Sequence, residues 1–296
     1  MPPRFGAHVS VAGGVSLAVP RAVALGCEAM QVFTRNPNRW TAPPLDPIEV
    51  RRFRDGVARA GLTPVVSHAS YLINLASPSA PLVLQSMEAL IDELRRAEAL
   101  ALDGVVLHPG TRVAEETDEE ALDRIASAIA VVFEQVPWRH TRLLLEHTAG
   151  QGLSLGHRFE QLAAIVAGLG ATDRVGVCLD TCHLIASGYD IVSARGYAAT
   201  MAAFEAVVGF ARLAVLHVND SKRPRGSRVD RHEHIGQGFI GAGGFRRLVN
   251  DPRMDGLGLL LETEKVPGRT PSSLDADPLD ARNLATLRGL LRRRRS

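Results

Sequence analysis

The sequence predicts an α/β class fold, a single-domain TIM (β/α)8 barrel, and three observations lead there. Short apolar runs of strand length recur eight times along the 296 residues, near 4–9, 29–34, 63–67, 104–108, 142–146, 175–180, 213–218 and 258–263. Segments with helical periodicity separate them, and regular alternation of strand and helix calls for parallel strands joined by right-handed crossovers. Strand spacings of roughly 25 to 45 residues match one strand, one helix and a loop, and such barrels run to about 250 residues or more as one domain.

The first run ends at His8, beneath the mouth of the barrel, where a histidine is expected to support ligands rather than be one. The second is followed by Arg35-Asn36-Pro37-Asn38-Arg39-Trp40, an irregular stretch. The third, Val65-Val66-Ser67-His68, leads into a loop from Tyr71 to Pro81, after which Leu82, Leu84, Met87, Leu90, Ile91, Leu94 and Leu100 mark a helix. The fourth, Val105-Val106-Leu107-His108, precedes a helix marked by Ala121, Ile125, Ile129, Val132 and Phe133. Leu143-Leu144-Leu145-Glu146, Val177-Cys178-Leu179-Asp180, Val215-Leu216-His217 and Leu259-Leu260-Leu261-Glu262 complete the set. A long loop, Ser221 to Gly244, follows the seventh strand. Residues 265–280, rich in Pro, Asp and Ser, read as a loop before a final helix and basic tail over 281–296, whose Arg292 to Arg295 run is expected to be a solvated end.

Continuous Val/Leu runs are strands buried on both faces, and the loops after their C-terminal ends are where barrels carry function. Six of the eight runs end in a residue able to bind metal: His68, His108, Glu146, Asp180, His217 and Glu262. His183, three residues past Asp180, and the pair Asp230 and His232 add to them. An extended Asp-x-His places both side chains on one side, because strand side chains alternate with a period of two. Nine donors exceed what one ion takes, and fit roughly two or three metals with coordination positions left open. Imidazole and carboxylate suit zinc, manganese or iron. Three divalent ions against four carboxylates leave an excess near +2, the sign that a phosphodiester transition state requires.

Composition narrows the alternatives. A net charge of +2 gives no electrostatic signature of nucleic-acid binding, so a partner must be argued from the site. Lys222 and Lys265 are the two lysines; arginine otherwise supplies the positive charge. Cys27, Cys178 and Cys182 are odd in number and form no Cys-x-x-Cys pair, so neither a disulfide framework nor a thiolate zinc knuckle is indicated, and Cys178 reads as a small core residue. No segment has the pattern of a signal peptide or membrane span. A cytoplasmic monomer, active at the nucleoid, is expected.

The chain resembles the endonuclease IV family, metal-dependent apurinic/apyrimidinic endonucleases. The resemblance rests on Gly6-Ala7-His8-Val9-Ser10 with Gly13-Gly14, Phe33-Thr34-Arg35-Asn36-Pro37, Ser70-Tyr71-Leu72-Ile73-Asn74-Leu75 and His108-Pro109-Gly110. It continues through Glu146 with Thr148-Ala149-Gly150-Gln151-Gly152, Cys178-Leu179-Asp180-Thr181-Cys182-His183, and Gly188-Tyr189-Asp190. It ends with His217-Val218-Asn219-Asp220-Ser221-Lys222, Gly226-Ser227-Arg228-Val229-Asp230-Arg231-His232, Gly236-Gln237-Gly238 and Leu261-Glu262-Thr263. These motifs run in order from first strand to last.

The resemblance implies a trinuclear zinc site, with manganese or iron possible in part. Glu146 would bridge two ions, His68 and His108 completing the first and Asp180, His217 and Glu262 the second, while His183, Asp230 and His232 hold the third. It implies attack by a metal-bridging hydroxide on the phosphodiester 5′ to an abasic site in duplex DNA, leaving a 3′-hydroxyl and a 5′-deoxyribose phosphate for base excision repair. An abasic nucleotide is cheap to extrude from the duplex. Arg35 for a phosphate or stack, and Tyr71 with Leu72 as an apolar wedge, would recognise the lesion, with Lys222 and Arg231 as phosphate contacts. Two departures stand out: Ala69 after His68, where the family often has Asp, and His147 after Glu146, where it usually has Asn. Loss of an orienting acceptor there would cost about tenfold or more in metal affinity or activity. His234 could orient a ligand or bond within its loop, and His140 and His157 have no special context. The rival readings are a metal-dependent sugar isomerase or epimerase on a related barrel, which would need a strand-end lysine or paired carboxylates for proton transfer, and a non-catalytic binder of damaged DNA.

Overall fold

A computed structural model describes residues 1–137, 140–170, 172–268 and 274–292. Eight strands of the described chain close into a parallel barrel: β1 (Arg4–His8), β2 (Ala29–Val32), β3 (Val65–His68), β4 (Gly104–Leu107), β5 (Arg142–Glu146), β6 (Val175–Asp180), β7 (Leu213–His217) and β10 (Gly258–Leu261). Their order around the barrel is β1-β10-β7-β6-β5-β4-β3-β2. Two short strands, β8 (Asp220–Ser221) and β9 (His232–Glu233), form a separate antiparallel pair. The helices are α1 (Ala18–Ala24), α2 (Pro47–Ala60), α3 (Ala80–Leu100), α4 (Asp118–Gln135), α5 (Phe159–Gly168), α6 (Thr181–Ser187), α7 (Ala194–Val207), α8 (Gly241–Val249) and α9 (Pro278–Leu290).

Alternation along each strand divides the core in two. Ala29, Val66, Val106, Leu144, Cys178, Val215 and Leu260 form one cluster inside the barrel, while their neighbours, such as Val65, Val105, Leu143, Leu145 and Leu259, belong to the larger core beneath the helices. The interior is crowded around Leu144. A Cβ at Gly104 would lie 2.6 Å from its Cδ1, and one at Gly176 would lie 2.8 Å from its Cδ2, so β4 and β6 carry glycine where β5 needs room.

Local signals fix the helix starts. Thr117 caps α4 with a reciprocal capping box to Glu120, and Asp46 and Asp277 cap α2 and α9, each ahead of a proline in the first turn. Most of the apolar positions expected along α3 face inward, but Leu84 is exposed. The expected strand two is shorter by two residues, because the chain turns away after Val32 and Thr34 bonds to Glu93 on α3 at 2.7 Å. The loop expected over 221–244 is partly regular: it contains β9 and the start of α8. In the tail, Arg293, Arg294 and Arg295 lie outside the described residues, as do residues 269–273 of the loop before α9.

Candidate metal centre

Two residues beyond each interior apolar side chain, on the same face of the strand, stands a polar one. Val66 is followed by His68, Val106 by His108, Leu144 by Glu146, Cys178 by Asp180, Val215 by His217 and Leu260 by Glu262. The period of two therefore carries each strand's inward face from the apolar barrel interior to a polar ring at its mouth. Ala29 leads by the same step to Gln31, and Gly6 to His8.

Glu146, fully buried, stands at the centre of the ring. Its Oε2 lies 3.1 Å from His68 Nε2 and 3.0 Å from His108 Nε2, and its Oε1 lies 2.9 Å from His217 Nδ1. One carboxylate thus faces two groups with different oxygens. His217 Nδ1 is also 3.1 Å from Glu262 Oε2 and 3.9 Å from Asp180 Oδ2. A third group is built off the ring. Asp180 caps α6 by accepting the His183 backbone N–H at 2.9 Å, which seats His183 in the first turn with Nε2 3.1 Å from Asp230. His232 on β9 brings its Nε2 to 3.2 Å from the other oxygen of Asp230.

The donor atoms of His68, His108 and Glu146, of Glu146, Asp180, His217 and Glu262, and of His183, Asp230 and His232 lie within 4.8 Å of one another inside each group. The ring nitrogens of His183 and His232 that face Asp230 are buried and make no hydrogen bond. Imidazole nitrogens and carboxylate oxygens converging in this way fit zinc-like ions. Cys178 and Cys182 lie close by, and burial pushes their thiols up, to about 11 and about 12.

Three of the histidines are held from behind. His68 Nδ1 donates to the Ala69 carbonyl at 2.7 Å, His183 Nδ1 to the His147 carbonyl at 2.8 Å, and His232 Nδ1 to the Glu262 carbonyl at 3.2 Å. Such bonds fix the ring orientation and tautomer. They also answer the concern over Ala69 and His147: the acceptor at each position is a backbone carbonyl, which any residue supplies. The His147 ring is buried with both nitrogens unpartnered, between Phe159 and Tyr189 at 5.5 and 5.4 Å, and burial lowers its pKa to about 3, leaving it neutral.

Two orienting residues escape a search for metal-binding types. Gln31 accepts from His217 Nε2 at 2.8 Å while its amide donates to Glu262 at 2.5 Å and to His8 at 3.0 Å. His8 therefore supports the ring through Gln31. Asn219 donates to Asp180 at 2.7 Å and accepts the Glu262 backbone N–H at 2.8 Å. The signal for Gln31 was available, since it occupies the same position on β2 as the ligands do on six other strands. Gln31→Ala is expected to lower metal affinity or turnover by about 10- to 100-fold, with metal content and Glu262-dependent activity measured together; an unchanged variant would remove Gln31 from the support of His217.

Electrostatics bind the cluster internally. Burial opposes ionisation of Glu146, but the imidazoles of His217 and His108 outweigh it and hold the carboxyl well below its ordinary value. Burial likewise opposes charge on His183, yet Asp180 and Asp230 hold it well above the usual imidazole range, and His232, beside the same pair, reaches about 9.

A cavity of about 410 Å³ opens over this centre, lined by Tyr71, His108, His183, Asp230 and Arg231 among others. Tyr71 is 57% exposed, yet its ring centroid lies 5.1 Å from that of His68; Leu72 beside it is half-buried. Arg231 is exposed, with Nη1 bonded to the Asp230 carbonyl at 2.7 Å. Lys222 is exposed and 3.4 Å from Glu264. The Arg35 side chain is buried, Nε donating to Glu93 at 2.9 Å and Nη1 to the Trp40 carbonyl at 3.0 Å, so it ties its loop to α3. His234 bonds to Asn283 on α9 at 3.0 Å, a contact within the scaffold; His140 and His157 make contacts away from the donors, with Asp103 and the Ser154 carbonyl.

The fold and donor set define an α/β barrel with residues able to hold metal ions clustered at its mouth. The xylose isomerase-like TIM barrel family matches residues 19–287. The chain is 45% identical over 289 residues to the probable endonuclease 4 of Chloroflexus aurantiacus (J-10-fl), covering 98% of each chain. It is 44% identical over 286 residues to that of Trichlorobacter lovleyi, covering 97% of this chain and 99% of the relative. The crystal structure of endonuclease IV from Thermus thermophilus superposes with a TM-score of 0.84 at 38% identity, over 97% of this chain and 98% of that one. A D-psicose 3-epimerase, at 14% identity and a TM-score of 0.69 over 97% of each chain, shares the fold alone. The chain belongs to the endonuclease IV family.

Proposed function

We propose that this protein is a metal-dependent DNA-repair endonuclease that hydrolyses the phosphodiester 5′ to an abasic site in duplex DNA, leaving a 3′-hydroxyl and a 5′-deoxyribose phosphate. The observation that carries the reading is the grouping of nine nitrogen and oxygen donors into three sets, two of which share Glu146. Three zinc ions are the proposed complement, held by His68, His108 and Glu146, by Glu146, Asp180, His217 and Glu262, and by His183, Asp230 and His232. Bound ions of this kind lower the pKa of water to about 7 and offset charge developing on a phosphoryl group.

The chain's own residues do the rest. Glu146 keeps the two sets it joins at a fixed separation, and His68, His183 and His232, locked by backbone carbonyls, hold their Nε2 atoms toward the sites the ions would occupy. Tyr71 and Leu72 are proposed to fill the space left by the extruded nucleotide, and Arg231 and Lys222 to contact phosphates. All nine donors come from one chain, so the centre is complete in a monomer. Among the described residues no helix is long and apolar enough to cross a membrane.

An epimerase reading lacks its proton-transfer group. The four carboxylates at the centre fall within the donor sets, and the two lysines are engaged elsewhere, Lys222 with Glu264 and Lys265 with Asp280. The test is incubation of metal-loaded protein with a duplex carrying one tetrahydrofuran residue. A single nick 5′ to that residue with a 3′-hydroxyl end is expected; no nick from fully metallated protein would overturn the proposal.

A further inference from the structure

Ten large apolar residues are exposed among the described positions, and two of them are aromatic: Tyr71 at 57% and Phe239 at 53%. Both sit on loops that follow barrel strands at the mouth. Tyr71 comes three residues after the end of β3, and Phe239 lies on the loop that follows β7. Around the closed barrel, β3 and β7 are four strands apart in either direction. The loops that carry the two rings therefore leave the barrel from opposite sides.

Phe239 is not on a loose tip. Asp220, fully buried just past β7, accepts backbone N–H groups from Ser221 and Ile240 at 2.8 Å, from Gly236 and Gly238 at 3.0 Å and from Gly241 at 3.2 Å. The Phe239 N–H itself donates to the Ser221 carbonyl at 2.9 Å. A Cβ at Gly238 would lie 2.3 Å from that same carbonyl oxygen, so the loop closes on β8 as tightly as backbone allows. One buried carboxylate thus fixes the segment that carries an apolar ring exposed to solvent. Lys222 and Arg223, both exposed, follow Ser221 directly. A rigid aromatic face beside cations is the combination that holds nucleic acid, because every base presents a π-face and every linkage a phosphate.

We propose that Phe239 is a second aromatic contact for DNA, stacking on a base or deoxyribose on the side of the reacting phosphate opposite Tyr71. The inference rests on the endonuclease reading above. It makes the loop after β7 a clamp: β9 carries a metal ligand, His232, and the segment just beyond it grips the substrate.

The experiment compares wild type, Phe239→Ala, Phe239→Trp and Lys222→Ala on a duplex with one tetrahydrofuran residue, measuring Kd, KM, the salt dependence of Kd and bound metal. Phe239→Ala is expected to raise Kd and KM roughly 5- to 100-fold, the range for loss of one stacked base, with metal content and the salt slope as in wild type. Phe239→Trp is expected to restore binding. Lys222→Ala is expected to flatten the salt slope by about one, since a lost phosphate contact releases fewer counterions. A Phe239→Ala protein that binds DNA as tightly as wild type overturns the proposal and points to a protein partner for the ring. Loss of metal in Phe239→Ala, or failure of Trp to restore binding, overturns it in favour of a structural role. If wild type neither binds nor nicks the duplex, the endonuclease reading fails instead.

Discussion

Glu146→Gln is expected to lower nicking of an abasic duplex by on the order of 10³-fold or more, while binding of the lesion persists. The amide preserves shape but removes the charge on which two donor sets depend. It also replaces one oxygen, at 3.0 to 3.1 Å from two imidazoles or at 2.9 Å from a third, with an amino group that cannot ligate. Either orientation of the amide deprives one set of its shared donor. The side chains proposed to contact DNA, Tyr71, Arg231 and Phe239, make no hydrogen bond or ion pair to Glu146, so affinity for the lesion is expected to be retained. Metal content and single-turnover nicking measured on the same preparation check this, and equal cutting by the variant would remove Glu146 from the mechanism.

Metal removal is expected to abolish activity and to reverse the sign of the protein's pH dependence. In the metal-free chain burial disfavours the charged imidazole of His232, but Asp180 and Asp230 more than compensate and raise it to about 9. A histidine raised on folding contributes stability that is fully present below its unfolded pKa of about 6.5 and is lost as pH rises through the folded value. For His232 that contribution is on the order of 3 kcal/mol, and His183 acts in the same direction. The metal-free protein should therefore lose stability between about pH 6.5 and pH 9. A metal must displace those protons, so loading releases protons at pH 7 and affinity grows with pH through the same window. Thermal melts of chelated and reloaded protein across pH 6 to 9 should show opposite slopes, and calorimetry in two buffers should show proton release. Parallel slopes would mean that these histidines are neutral before the metal arrives. Mild EDTA treatment should leave activity intact, because most of the donors are buried; removal should need acid or a stronger chelator.

The convergence of the strand-end donors was legible because each ends a run that is apolar on both faces, and such runs have one geometry. His68, His108, Glu146, Asp180, His217 and Glu262 needed only the period of two and closure of the barrel to converge. Asp230 and His232 were legible as a pair by the same period, although β9 itself, two residues long, leaves no pattern. Gln31 was passed over because glutamine is not a metal-binding type, although its position was the same as theirs. The placing of Arg35 was illegible for a different reason. A basic residue in a loop at the mouth reads as a phosphate contact, and only the packing of α3 shows that Glu93, 58 residues away, holds it inward in the DNA-free chain. The Ala69 and His147 departures looked costly because side chains are what a sequence displays, whereas the acceptors turned out to be carbonyls.

By itself the sequence determined the barrel, its order of strands and helices, and which residues stand at the strand ends, because all of these follow from local periodicity and chain connectivity. The tertiary structure alone decided which oxygen of Glu146 faces which histidines, which arginine is buried and which ring stays in solvent. Those outcomes depend on groups far apart in sequence and close in space, where a buried charge must find its partner and a loop gripped by Asp220 has one way to face outward.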